Sequence, residues 1–553
     1  MLGRRGLLTS AIGPMVLGLG LAGAPSGEAS AAAARKKSQV QSVVADTSRG
    51  RVRGILADGI RVFKGIPYAA STEGVARFRE PRPAVAWKGI RDALSLGPIC
   101  PQDIPPRPSY AASWAPTPGA ADTPMNEDCL VLNIWTPALR DHHKRPVMVW
   151  IDGGGFATGS GGNPVFDGTN LARKGDTVVV TLNHRLNVFG HLFLAKIGGT
   201  EFAESGNLGI LDIVAALRWL HNNIAEFGGD PANVTLFGQG GGGAKIGTLM
   251  AMPQTRGLYH RAIVQSGSHL DGLTPDEANA HTLAFLKAVE VPVNDLPRLQ
   301  RLSSEQILAA LRKMARGAGM APNFAPVVDG RFLPKPPWTP DGPASSAAIP
   351  MMIGTTKTET TASIGANDPG AFALDEAGLR KKLAGWIQPN EIERVAAGYR
   401  RLFPAASPSD LFFAITSARR VRQQAWAQAE RKAAQNGAPV WLYELDWQTP
   451  VDGGKWKSPH GLDLAFVFDN AAKSESMVGK GEEQRALAEQ MSACWLAFAR
   501  TGNPNNKTVP QWPAFRAPER ATMVFDAKSR VANDFRGDER QLLASLPMFR
   551  VTQ

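Results

Sequence analysis

Apolar residues in this chain fall into short, mostly apolar runs separated by stretches with helical spacing. The runs 147–151, 177–182, 234–237, 262–264, 350–354 and 440–445 lack the polar alternation of a half-exposed strand. They read as strands covered on both faces. Between two of them, residues 213–227 place apolar side chains at amphipathic-helix spacing, and Gly228-Gly-Asp-Pro231 ends that helix before the next strand. Strand–helix alternation of this kind predicts an α/β fold with a doubly wound, mostly parallel central sheet. The chain opens differently. Residues 43–52 and 60–68 alternate around Gly and Asp turns and predict an antiparallel hairpin, and 126–137 predicts a further strand of alternating burial. From 275 to 383 and from 410 to 434 the pattern is mainly helical, beginning at the helix start Thr274-Pro-Asp-Glu277. A closing helix at 484–500 stops at Thr501-Gly-Asn-Pro504. No repeat or linker divides the chain, so residues 32–553 are expected to form one domain with a helical insertion at about 275–434.

Two glycine clusters interrupt the apolar pattern where strands end. The run 234–237 stops at Gly238-Gln239-Gly240-Gly241-Gly242, and residues 244–252 then look helical. Strand, sharp turn and helix is the context of a nucleophile elbow, Gly-x-Ser-x-Gly, with Gly240 in the serine's place. A flexible linker would not sit between two apolar elements. A phosphate-binding loop of the Walker type needs Lys-Ser/Thr after its last Gly, whereas Lys245 is followed by Ile246. The second cluster, Asp152-Gly-Gly-Gly-Phe156, follows the strand 147–151. Consecutive glycines there let backbone N–H groups converge on one point, as an oxyanion hole requires.

Composition narrows the function classes. The formal net charge is +12, but Lys and Arg are spread along the chain without a nucleic-acid-binding motif, which favours anionic substrates or surfaces over nucleic acid. Nine histidines without ligand-like clustering argue against a metal hydrolase. Arg4-Arg5, the apolar glycine-rich stretch to about residue 24 and Ala29-Ser30-Ala31 predict a signal peptide over 1–31, of the twin-arginine type, and hence export to the periplasm or beyond. That stretch is too short and glycine-rich for a comfortable transmembrane helix, and no other run reaches spanning length, so stable membrane insertion is not expected. Cys100 and Cys129 bracket a Pro-rich loop, and in an exported protein they are expected to form a disulfide, leaving Cys494 as a buried core thiol. Tyr110 and Trp114 on that loop suggest an aromatic wall. The sequence does not specify an oligomeric state.

Six motifs, in order, resemble those of the type-B carboxylesterases, the cholinesterase-like branch of the α/β-hydrolases. They are Glu127-Asp-Cys-Leu-x-Leu-Asn133, the glycine loop ending at Phe156, Gly206-Asn-x-Gly-x-x-Asp212, Phe227-Gly-Gly-Asp-Pro231, the elbow, and Gln265-Ser-Gly-Ser268. The similarity spans roughly residues 40 to 545 and is strongest to bacterial members whose elbow reads Gly-Gln-Ser-Gly-Gly-Gly-x-Lys. The resemblance implies an α/β-hydrolase fold and hydrolysis of small-molecule carboxylic esters through an acyl-enzyme, without cofactor or metal. It assigns Glu359, in Ile353-Gly-Thr-Thr-Lys-Thr-Glu359, as the catalytic acid and His460, in Ser458-Pro-His-Gly-Leu-Asp463, as the base. Gly240, Glu359 and His460 then follow the order nucleophile, acid, base of this fold. The amides of Gly154, Gly155 and Gly241 would form the oxyanion hole. Arg77 with Glu127, and Arg185 with Asp212, are the structural ion pairs the resemblance implies.

Four positions depart from the family pattern. Thr358 stands where an acidic residue is usual and Thr360 where Gly is. Asp152 replaces a His or aromatic residue beside the oxyanion hole; because an inward anion would oppose the transition state, it is expected to point away. Gly240 removes the attacking oxygen, and Ser266 and Ser268 belong to a different loop. The expectation is therefore a carboxylesterase scaffold nearly inactive as it stands, with its basic charge hinting at acidic or bulky esters, such as the tricarballylate esters of fumonisins that some members cleave. The alternatives are a non-catalytic ligand- or protein-binding protein on the same fold, and slow hydrolysis by a water held on His460.

Overall fold

The apolar runs take the middle of a sheet because the sheet is covered on both faces. In residues 147–151, Val147, Val149 and Ile151 enter one core cluster while Met148 and Trp150 enter the other. Period-two alternation thus feeds two cores, which is why the run carries no polar residue. The computed structural model describes residues 41–103, 124–317 and 323–549. The expected leader over 1–31, and Tyr110 and Trp114, lie outside the described residues.

The strands are β1 (Gln41–Ala45), β2 (Arg51–Ala57), β3 (Ile60–Pro67), β4 (Ile90–Asp92), β5 (Val131–Thr136), β6 (Arg145–Ile151), β7 (Val178–Leu182), β8 (Gly229–Gln239), β9 (Arg261–Gln265), β10 (Met351–Thr356), β11 (Val440–Leu445), β12 (Thr522–Phe525) and β13 (Arg530–Ala532). They form one sheet in the order β1-β2-β3-β5-β7-β6-β8-β9-β10-β11-β12-β13, with β4 beside β2. From β7 through β12 every neighbour is parallel, and the strands at both ends of that order pair antiparallel, while β4 runs parallel to β2. Helices α1 (Leu208–Asn223) and α2 (Gly241–Met250) pack in one core cluster, and α3 (Glu482–Thr501) packs in the other. This is the α/β-hydrolase architecture. Further helices lie between β9 and β10 and between β10 and β11, in the expected insertion, with β10 returning to the sheet between them.

Three details differ from the sequence reading. Residues 43–52 are two strands rather than one, because Thr47 and Gly50 close a turn in which each amide donates to the other's carbonyl, at 3.1 and 3.2 Å. The strand expected from residue 126 begins only at Val131, since the Asp128 amide donates to the Asn126 side chain and Val131 N donates to Cys129 O. The disulfide is corrected as well: Cys100, Cys129 and Cys494 are all free and buried. The Cys100 sulfur accepts the Leu186 amide at 3.3 Å, and the Cys129 thiol is hydrogen-bonded to it, which together with burial raises the Cys129 pKa. The segment is tied instead by Ile99 N to Pro124 O at 2.9 Å and Asn126 N to Ile99 O at 3.1 Å. Gln102 adds bonds to Cys100 O and Gly159 O.

Both expected ion pairs are present and deeply buried. Arg185 grips Asp212 through Nε and its backbone amide, each at 2.9 Å to Oδ2, and through a terminal nitrogen at 2.7 Å to Oδ1. Its remaining nitrogen donates to Arg79 O, tying α1 to the segment before the sheet's parallel part. Arg77 pairs with Glu127 and also donates to Leu302 O at 2.6 Å, which joins the insertion to the sheet edge. Removing one partner of such a pair strands the other as an uncompensated buried charge. Asp212→Asn is therefore expected to destabilise by about 3–5 kcal/mol. Asp92→Asn, in the exposed Arg53–Asp92 pair, should change stability by about 0–1 kcal/mol. Denaturant unfolding of the two variants checks this; equal midpoints would refute the structural role of the buried pair.

Candidate active site

Parallel strands bring their carboxyl ends together, and the site is built where β6, β8, β10 and β11 end. β8 stops at Gln239, and the chain turns through Gly240 with φ +57° and ψ −122° directly into α2. Side chains other than glycine's enter this region only at a cost of about 1–3 kcal/mol. The turn is pinned from the neighbouring strand, because Gly240 N donates to Gln265 O at 2.8 Å.

The glycines that look like a linker in the sequence are a packing requirement. A Cβ on Gly241 would collide with the backbone of Gly155, and one on Gly242 with the carbonyl of Ile151. A Cβ on Gly153 would lie 2.9 Å from Gln239 O. The glycine loop after β6 and the first turn of α2 thus touch backbone to backbone, with Gly154 and Gly155 at φ +82° and +63°. Helical structure begins at Gly241 rather than near 244 as the sequence suggested, and α2 presents its unpaired first amides to the loop. Among the described residues no hydrogen bond runs from the amides of Gly154, Gly155 or Gly241 to a protein acceptor. These are the donors expected of an oxyanion hole.

Glu359 and His460 meet across the ends of β10 and β11. Glu359 is buried, its Oε1 accepting Thr356 N at 2.8 Å and its Oε2 lying 2.6 Å from His460 Nδ1. The bond fixes the tautomer: Nδ1 carries the proton toward Glu359, and Nε2 faces Gly240. An ideal Cβ on Gly240 would stand 2.9 Å from His460 Nε2 and 3.5 Å from Cε1, and would meet nothing else within 4 Å beyond its own chain neighbours. Thr358 and Thr360, the two departures from pattern, brace this meeting. Thr358 N donates to Ser458 O, Thr358 Oγ1 accepts Ser458 N at 2.9 Å, and Thr360 Oγ1 bonds Thr416 and Ser417 in the insertion.

Two positioning residues escaped the sequence reading. Gln265 holds Gly240 through its carbonyl, and its side chain donates to Asp463 Oδ2 at 2.8 Å and accepts from Trp495 Nε1. Asp463, on the loop that carries His460, also accepts from Tyr443 OH at 3.2 Å. Burial foremost, with the nearby Glu359 charge, pushes the Asp463 carboxyl up to about 6. The available signal was a single polar residue inside each apolar run, Gln265 after Ala262-Ile-Val and Asp463 before Leu464-Ala-Phe.

Asp152 lies beneath the loop, its Oδ2 pressed on Gly159 and its Oδ1 3.8 Å from His184 Nε2, away from Gly240 as expected. Burial raises its pKa, an effect that the Lys245 ammonium partly offsets. Lys245, itself fully buried on α2, donates to Asp152 O at 2.9 Å and so fastens helix to loop. Ser266 sits at φ +50° in the turn after β9, with its amide bonded to Gly354 O; its position in a turn is as expected.

The family model described as the carboxylesterase family matches residues 41–542. The chain is 36% identical over 510 residues to a para-nitrobenzyl esterase of Bacillus subtilis strain 168, covering 90% of this chain and 98% of that protein. It is 32% identical to a fumonisin B1 esterase of Sphingopyxis macrogoltabida, over 86% of this chain and 84% of the relative. Among solved structures, a carboxylesterase of Geobacillus stearothermophilus superposes with a TM-score of 0.78 at 39% identity, covering 90% of this chain and 99% of its own.

Phe156 of the glycine loop packs between His191 and His269, with ring centroids 5.4 and 5.2 Å apart. Burial lowers His191 to about 3 and His269 to about 4. Both folded pKa values lie below the unfolded value of about 6.5, so between them the unfolded chain binds more protons. The stability these neutral rings contribute is present above about pH 6.5 and is lost as pH falls toward 4. In His269→Gln the loss of unfolding free energy over that window should be shallower by about 1.4 kcal/mol per pH unit. Denaturant melts at several pH values measure the slope, and an unchanged slope would show that His269 is charged when folded.

Proposed function

The chain belongs to the carboxylesterase family, and from that premise we propose that its site is a carboxylic-ester hydrolase apparatus whose nucleophile position is held by Gly240. The observation that carries this is the Glu359–His460 pair aimed, through Nε2, at the Cβ position of Gly240. With a serine there, the imidazole would take the hydroxyl proton as Oγ attacks the ester carbonyl. The charge on the carbonyl oxygen would fall on the amides of Gly154, Gly155 and Gly241, and His460 would return the proton to the leaving alcohol. Glu359 would hold the ring and stabilise its cationic form. Without the serine no acyl-enzyme forms. In subtilisin the loss of the nucleophile costs a factor of about 10⁶ in turnover, and turnover on this scaffold is expected to be comparably low.

The substrate class we assign is acidic or bulky esters. Its support is the net charge of +12 and the similarity to an esterase named for fumonisin B1. We further propose export through a twin-arginine leader at residues 1–31, on the residues that suggested it: Arg4-Arg5, the apolar stretch and Ala29-Ser30-Ala31. The second reading, a non-catalytic binding protein, is favoured by the same Gly240.

Gly240→Ser separates the two. The new Cβ at 2.9 Å requires the imidazole tip to yield by several tenths of an ångström, which a side-chain end can do. Turnover of simple aryl esters should rise by several orders of magnitude, up to about 10⁶. Stability should fall by about 1–3 kcal/mol through backbone strain. Initial rates on short- and long-acyl nitrophenyl esters, with circular dichroism to establish folding, decide the matter. A folded Gly240→Ser protein without activity would leave the binding reading in place of the catalytic one.

A further inference from the structure

We propose that, as it stands, this site is a receptor for free carboxylates, taking one carboxylate oxygen in the oxyanion hole and the other on His460 Nε2. The proposal rests on the site assignment above and concerns what the apparatus does with Gly240 in place. Four donors lie around the Gly240 turn. Three are backbone amides, of Gly154, Gly155 and Gly241, without protein acceptors among the described residues. The fourth is Nε2 of His460, with nothing but its own ring within 4 Å of the Gly240 Cβ position apart from that glycine's chain neighbours.

In a serine esterase the hydroxyl donates to Nε2 and keeps the ring neutral. Here no hydroxyl does so. Because Nδ1–H is committed to Glu359 at 2.6 Å, Nε2 can offer a hydrogen bond only as imidazolium. Two carboxylates lie close to the ring, Glu359 against one side at 2.6 Å and Asp463 three residues on. Of the other groups facing the pair, Tyr443 OH is spent on Asp463, and the Arg420 guanidinium acts on Glu359 from the insertion. A carboxylate supplies two acceptor oxygens and one negative charge, matching three amides plus one imidazolium. A neutral ester or amide offers one carbonyl oxygen to the hole and brings no negative charge to the ring. Asp152, the anion nearest the loop, is turned onto Gly159 and offset by Lys245, so it does not close the site to anions.

Binding should therefore take up a proton onto Nε2. Isothermal titration of the full-length chain with acetate, butyrate and benzoate, and with the corresponding amides, tests this. The acids should bind, the amides at least about tenfold more weakly, and above the imidazole's titration the dissociation constant should rise about tenfold per pH unit. Repeating the titration in buffers of different ionisation heat should show uptake of close to one proton per acid bound. His460→Gln should lose both the pH dependence and the proton uptake, and Gly240→Ser should weaken binding because Oγ occupies the second oxygen's place. Equal binding of acids and amides, pH-independent binding, or no binding of any acid at millimolar concentration would each overturn the proposal. The ester-rate measurement on Gly240→Ser is independent of these outcomes, so failure here and failure of the esterase reading are separately visible.

Discussion

Backbone-to-backbone contact between the loop after β6 and the first turn of α2 is the constraint on which the site depends. Gly153 lies over Gln239 O, Gly241 over Gly155, and Gly242 over the carbonyl of Ile151, and any side chain at these points would force the two strand ends apart. Their approach leaves amides after a strand and at the start of a helix without protein partners, Gly241 buried and Gly154 open to solvent, where an incoming acceptor can reach them. Lys245 reinforces the contact from below by donating to Asp152 O. The Gly240 turn is clamped in the same region by the carbonyl of Gln265 on β9.

Electrostatics then sort the buried polar groups into two kinds. Arg185–Asp212 and Arg77–Glu127 are saturated with bonds to both backbone and side chain, so they fix α1 and the insertion in place and are unavailable to a ligand. His191 and His269, around Phe156, are kept neutral by burial. His460 is different because its Nδ1 is paired with Glu359 while its side chain keeps about a third of its exposure, 34%. It is the paired ring that a ligand can meet. The brace of Gln265, Asp463 and Tyr443 joins the elbow to this ring, so that the position of Gly240 and the orientation of His460 are set by one network.

What the sequence determined by itself was local. Apolar runs such as 147–151 and 262–264 specify strands covered on both faces, and the contiguous motifs around Gly240, Glu359 and His460 name the site because each is carried by a few adjacent residues. The α/β architecture was legible at that level, and the family resemblance added the two buried ion pairs. The tertiary structure decided what depends on residues far apart in the chain. Cys100 and Cys129 lie at either end of a Pro-rich segment, and the fold brings their thiols into hydrogen-bonding contact without joining them, a separation set by the packing around each and not by the residues between. The run Gly240–Gly243 reads locally as a corner, yet Gly241, Gly242 and Gly243 are required by Gly155, Ile151 and Gly267, which approach only because β8 lies between β6 and β9. Gln265 and Asp463 look like isolated polar residues in apolar runs until the sheet brings β9, β11 and the His460 loop together, giving each the partners that make its burial affordable. The distance from His460 to Gly240, on which the chemistry turns, has no local signature, because it is fixed by strand order and by the packing of both faces.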